Sequence, residues 1–130
     1  MLSALWSGGE VASAMEEILG RLRAEDTLAV AGIVYAELLA HPKAAPGVID
    51  DFLQRTGIEI DVVTDLPVWQ LAGGTYGRYC QRRRCSGGGL AKRLLADFVI
   101  GAHAQLRADR LATLDQDRYR ADFPELVLIP

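Results

Sequence analysis

"LLADFVIGAHA", residues 94–104, is an apolar run that carries a single carboxylate, Asp97. An ionised aspartate in an apolar interior is costly unless it is paired, hydrogen-bonded or bound to a metal. The same placement recurs at Glu37, the one charge within "TLAVAGIVYAELLA", and at Asp115, which follows the strand-like run "LATL". The pattern predicts that these acidic side chains share one site in the folded protein.

Size and composition place the chain among ordinary globular proteins. Its 130 residues are enough for one domain with a real core, and a charged fraction of 24% is usual for a soluble protein. No apolar run approaches the roughly 18–20 residues of a membrane span, and the first residues lack a basic leader with an apolar region behind it. We expect a single domain over residues 1–130, located in the cytoplasm and without membrane contact.

The charges are distributed unevenly along the chain. A formal net charge of −3 argues against broad, nonspecific binding of nucleic acid. Between residues 78 and 93, however, all the charged side chains are basic. This segment is either a solvated helix end that favours the negative end of the helix dipole or a contact surface for RNA phosphates. The candidate RNA-binding residues are Arg82, Arg83, Arg84, Lys92 and Arg93.

Helical and strand-like patterns alternate along the sequence. Pro42 requires one helix to stop before it, Gly57 is a plausible stop for the next, and Asp65 is a candidate N-cap for a helix that Gly73 and Gly77 weaken. Such alternation predicts an α/β fold with a mostly parallel sheet and helices on both faces, in which ligands gather at the carboxyl ends of the strands. Helices are predicted over residues 11–24, 34–40, 47–56 and 94–107, and strands over 27–33, 58–63, 111–114 and 126–129.

Three segments in this order, "VYAELLA", "LLADFVIGAHA" and "LATLDQDRYRADFPELVLI", resemble the acidic motifs of PIN-domain ribonucleases, especially the VapC-like toxins of bacterial toxin–antitoxin operons. The resemblance implies a three-layer α/β/α Rossmann-like fold and a carboxylate site that holds Mg²⁺ or Mn²⁺ and cleaves RNA. It also implies an antitoxin partner and a homodimer. On this resemblance the catalytic metal ligands are Glu37, Asp97 and Asp115, with Asp117 as an additional acidic residue and Thr113 as the supporting hydroxyl.

These residue types suit the implied chemistry. Hard divalent cations take oxygen ligands, and Mg²⁺ is commonly held by one or two carboxylates together with water and phosphate oxygens. Such an ion lowers the pKa of a water molecule and stabilises negative charge at a phosphodiester under attack. Like-charged carboxylates repel one another unless a cation lies between them. A bound cation would therefore account for their being brought together.

The start of the chain departs from the family pattern. The family begins with a strand that ends in an aspartate, whereas this sequence begins "MLSALWSGG", which resembles the residues that follow that aspartate. We expect the first strand and its aspartate to be truncated, with the native start upstream. The absent ligand leaves an alternative open, namely a catalytically impaired PIN-like module that binds RNA or an antitoxin without turnover. A phosphatase that uses "DQD" is a weaker rival, because such enzymes place that motif on an early strand.

Each candidate residue also has a simpler structural interpretation. Asp97 could be a helix N-cap, and Glu37 could form a salt bridge with an arginine at the edge of the core. Asp115 and Asp117 could be turn residues, since aspartate favours turns after strands. His103 lies on an apolar helix face, where a core histidine is more common than a catalytic one.

Overall fold

The computed structural model describes residues 10–42, 44, 45, 47–88 and 93–130. The chain is a mixed α/β protein in which helices predominate and the strands are short and parallel. It divides into two compact units, Met1–Val63 and Thr64–Pro130. The expectation that residues 1–130 form one domain stays a prediction.

The first unit alternates helices and strands as the sequence predicts. Strands β1 and β2 pair in parallel, with Ala29 opposite Glu59 and Ala31 opposite Asp61. The buried core lies beneath them and contains Val30, Leu38, Ile49, Leu53 and Ile58. The elements are α1 (Glu10–Glu25), β1 (Ala29–Ala31), α2 (Gly32–Leu39), α3 (Val48–Thr56) and β2 (Glu59–Asp61).

Local signals set the helix ends in this unit. Helix α2 ends at Leu39, before Pro42, as the restriction on the residue preceding proline predicts. Helix α3 ends at Gly57, which has a φ of 65°, and the Ile58 amide then donates to the Leu53 carbonyl at 3.1 Å. Glycine accepts this left-handed conformation without steric cost, so the predicted stop is confirmed.

The second unit contains two long helices packed against each other and a short parallel strand pair. Helix α4 runs without a break through Gly73 and Gly77, although these glycines weaken the helical pattern in the sequence. Its buried face, with Val68, Ala72 and Thr75, outweighs the low helix propensity of glycine. The elements are α4 (Leu66–Cys85), α5 (Leu95–Arg107), β3 (Leu111–Ala112), α6 (Gln116–Arg120) and β4 (Leu128–Ile129).

Aromatic rings fill the core of the second unit. Phe98 of α5 is fully buried, and its ring centroid lies 5.1 Å from that of Tyr76 and 6.4 Å from that of Phe123. Gly101, one turn further along α5, lies directly beneath Phe123, so that a β-carbon there would overlap the ring. The first turn of α5 is therefore held in place by this aromatic packing.

The strands differ from the sequence prediction in length and pairing. Residues 58–63 form a strand only over Glu59–Asp61, and Val62 and Val63 are exposed beyond its end. Among the described residues, β1 pairs with β2 and β3 pairs with β4, each pair forming a two-stranded sheet. Short strands of this kind bear out an α/β fold with parallel pairing. No helix in the described ranges is long and apolar enough to span a bilayer.

Candidate functional site

Asp97 lies in the first turn of α5. The helix begins at Leu95, and its N-cap is Leu94, so the N-cap interpretation of Asp97 is wrong. Asp97 is two residues inside the helix start, where a carboxylate is favoured by the positive end of the helix dipole. Its side chain is only 14% exposed and its neighbour Phe98 is buried in the core. The aspartate is thus fixed at the surface of the aromatic core.

Asp115 follows β3 and is the N-cap of α6. Its Oδ1 accepts a hydrogen bond from the Arg118 amide at 3.3 Å, so this residue caps a helix, a role that differs from the turn interpretation. The Asp115 amide donates to the Thr113 hydroxyl at 3.2 Å. Thr113 therefore supports the loop that carries Asp115, and its place beside a metal stays a prediction.

One guanidinium binds both carboxylates. The Nη1 atom of Arg118 lies 3.1 Å from Asp97 Oδ1, and its Nε atom lies 3.0 Å from Asp115 Oδ2. Partial burial would lower the pKa of Arg118, but the charges of Asp97 and Asp115 outweigh it and raise that pKa. The structure thus brings together two of the three predicted catalytic carboxylates, and it does so around a cation.

These contacts continue into a chain of alternating charges. Arg93 Nε lies 3.9 Å from Asp97 Oδ2, which is an ion pair rather than a hydrogen bond, and Arg93 Nη1 is hydrogen-bonded to Asp122. Asp122 also pairs with Arg82, and its own side chain is 2% exposed. We call this set the ion-pair network; in order along it stand Arg82, Asp122, Arg93, Asp97, Arg118 and Asp115.

The remaining acidic candidates, Asp117 and Glu37, have exposed side chains. Asp117 is on α6 with a side chain that is 97% exposed, and it pairs with Arg120 at 3.8 Å. Glu37 is exposed on α2 of the first unit, and its meeting with Asp97 and Asp115 stays a prediction. His103 is buried on α5 among apolar neighbours, as a core histidine is.

The basic candidates are divided between partners and solvent. Arg82 and Arg93 belong to the ion-pair network, Arg83 donates to the Gly88 carbonyl, and Arg84 is exposed at the end of α4. Lys92 lies outside the described residues. An open cleft of about 330 Å³ between the end of α4 and α6 has Arg82, Arg83, Arg93 and Arg118 in its wall.

Sequence reasoning missed Arg118 and Asp122. Arg118 carried a usable signal, because it stands three residues after Asp115, and residues at that spacing face each other wherever the chain is helical. Asp122 carried none, since its two arginine partners precede it by 40 and 29 residues. Only the packing of α4, α5 and α6 reveals their proximity.

The donor chemistry suits a hard divalent cation, while the number of donors is small. Within the described ranges, no three His, Cys, Asp or Glu side chains are grouped so that they could hold one metal ion. Two carboxylates facing one positive group remain within the range that Mg²⁺ uses, because water and phosphate oxygens complete its coordination.

Comparisons of the chain with family models, curated proteins and solved structures give no match.

Proposed function

We propose that this chain is a metal-dependent ribonuclease of the PIN type, in the class of VapC-like toxins. The observation that carries the proposal is the convergence of Asp97 and Asp115 on one cation, Arg118. Carboxylates from two separate elements face the same positive group, and each belongs to a motif that resembles the family.

Asp97 and Asp115 would hold Mg²⁺ or Mn²⁺, with Glu37 as the proposed third ligand and Asp117 as an outer acidic residue. A bound divalent ion supplies a more acidic water and positive charge against the phosphodiester. The protein's own part is positional. Thr113 fixes the loop of Asp115. The Asp97 backbone is held by α5, because Phe98 of that helix packs in the aromatic core.

The proposal extends to fold and partners. We propose that the parallel strand pairs belong to a three-layer α/β/α sandwich. RNA is the proposed substrate, and Arg82, Arg83, Arg84, Lys92 and Arg93 are its proposed contacts. An antitoxin protein and a second copy of the chain are the proposed protein partners, on the resemblance alone.

The test is cleavage of single-stranded RNA by the purified chain with Mg²⁺ or Mn²⁺. We expect cleavage that chelation by EDTA stops and that Asp97→Asn abolishes. Asp109→Asn is the matched control, because it makes the same change at an exposed turn residue outside the ion-pair network. Cleavage that survives both EDTA and Asp97→Asn would refute the proposal.

A second candidate is a PIN-like module that binds RNA or a partner protein without turnover. Two observations favour it: Arg118 already forms ion pairs with Asp97 and Asp115, and the described part of the chain contains no group of three metal-ligating side chains. This candidate predicts saturable RNA binding by fluorescence anisotropy with no product at any metal concentration. Cleavage that depends on Asp97 excludes it.

A further inference from the structure

The Arg118 guanidinium contacts one carboxylate oxygen of each aspartate. The second oxygen of each aspartate has a different contact. The guanidinium contacts Asp97 Oδ1 and Asp115 Oδ2. Asp97 Oδ2 faces Arg93, and Asp115 Oδ1 accepts from the Arg118 backbone amide. If the guanidinium left, both carboxylates would keep one contact each, and Asp97 Oδ1 and Asp115 Oδ2 would lose the cation that they now share.

We propose that Arg118 is a built-in counter-ion that competes with a divalent cation for Asp97 and Asp115. This inference rests on the proposed function, since it concerns the same carboxylates, and it adds how access to them is controlled. Two carboxylates that contact the same guanidinium would repel each other in its absence, and the positive group between them relieves that repulsion. Arg118 supplies that charge in the metal-free protein, and a divalent ion must displace it.

The position of Arg118 allows this displacement. Its side chain is 44% exposed, and it belongs to the wall of the open cleft beside α6. The guanidinium can therefore rotate from the carboxylates into the cleft without disturbing the buried core. There it would meet the phosphate of a bound RNA, for which arginine is well suited.

The test compares Mn²⁺ affinity of the wild type and Arg118→Gln, with free Mn²⁺ measured by electron paramagnetic resonance. We expect Arg118→Gln to bind Mn²⁺ about tenfold more tightly, because the hydrogen bond from Arg118 to the Asp97 carboxylate is worth roughly a factor of ten. Arg120→Gln is the matched control on the same helix, since Arg120 pairs with Asp117 instead. Its Mn²⁺ affinity should equal that of the wild type.

A second measurement uses the wild-type protein and decides the matter if Arg118→Gln does not fold. The Arg118 Nε–H resonance is followed by nuclear magnetic resonance during a Mg²⁺ titration. We expect it to shift toward the position of a solvated arginine as Mg²⁺ binds, while the Arg120 resonance stays unchanged.

The outcomes separate this inference from the proposed function. Metal binding with equal affinity in wild type and Arg118→Gln, or with an unmoved Arg118 resonance, overturns the competition and leaves the ribonuclease proposal standing. No Mn²⁺ or Mg²⁺ binding by any folded variant overturns both. Tighter binding by Arg118→Gln that Asp97→Asn removes again supports both.

Discussion

Arg93 lies over the face of Phe98, with its guanidinium carbon 4.4 Å from the ring centroid. The same guanidinium is hydrogen-bonded to Asp122 and lies beside Asp97. Phe98 is fully buried in the core of the second unit. Arg93 therefore connects the aromatic core to the ion-pair network, and its planar shape serves both contacts at once.

Arg93→Lys should destabilise the protein by about 1–2 kcal/mol, because an ammonium group neither stacks on a ring nor spans two carboxylates in one plane. Urea unfolding followed by circular dichroism measures the change. Arg84→Lys is the control at the exposed end of α4 and should leave the unfolding midpoint unaltered. Equal midpoints for both variants would show that the stacking contributes nothing.

Asp122→Asn should have a larger effect. The carboxylate is 2% exposed and pairs with both Arg82 and Arg93, so its neutralisation removes the counter-ion of Arg82 and leaves Arg93 with only the longer ion pair to Asp97. We expect the free energy of unfolding to fall by about 3 kcal/mol. This lies at the lower end of the range for breaking a buried ion pair, because Arg82 is half-exposed and its guanidinium returns to water.

Asp117→Asn makes the same chemical change on an exposed side chain that pairs with Arg120. Its effect on the free energy of unfolding should stay within about 0.5 kcal/mol. If the Asp122 and Asp117 variants unfold at the same urea concentration, the buried carboxylate does not stabilise the second unit.

The sequence predicts most elements because their signals are local. Gly57 ends a helix through its own φ, and Pro42 ends one by restricting the residue before it. Both signals act locally and do not depend on the packing of the rest of the chain. Strand length depends instead on the partner, which is why residues 58–63 pair only over Glu59–Asp61. The Asp122 pairs lack any local signal, since they require α4 and α5 to be packed first.

Gly101→Ala should destabilise the second unit by about 1–2 kcal/mol. A methyl group there overlaps the ring of buried Phe123, and overpacking outweighs the helix propensity that alanine gains over glycine. Thermal unfolding by circular dichroism measures the change. Combining Gly101→Ala with Phe123→Leu should recover part of the loss, because the smaller side chain makes room for the methyl group.

Gly77→Ala, on the neighbouring helix α4, should change stability in the opposite direction. A β-carbon at Gly77 meets nothing within 4 Å, so only the propensity term applies. Stability should rise by about 0.5–1 kcal/mol. If Gly101→Ala raises stability as Gly77→Ala does, the close contact between Gly101 and Phe123 is wrong.

Tyr35 should titrate above its ordinary pKa of about 10. Its hydroxyl donates to Asp50 Oδ1 at 2.6 Å, and this hydrogen bond, followed by slight desolvation and the charge of Asp50, raises the pKa of the phenol. Because the folded pKa exceeds the unfolded one, the stabilisation is complete below pH 10 or so and is lost as the pH rises through the raised value. Alkaline unfolding should therefore be promoted by ionisation of Tyr35.

The measurement is ultraviolet titration of tyrosinate, with Tyr35→Phe subtracted to isolate the one ring. Asp50→Asn should return the pKa of Tyr35 toward its ordinary value, because the amide accepts a weaker hydrogen bond and carries no charge to oppose the phenolate. Asp51→Asn is the matched control, since this neighbouring aspartate on α3 is also exposed. A titration curve that Asp50→Asn leaves unmoved would mean that the Tyr35–Asp50 hydrogen bond does not persist in solution.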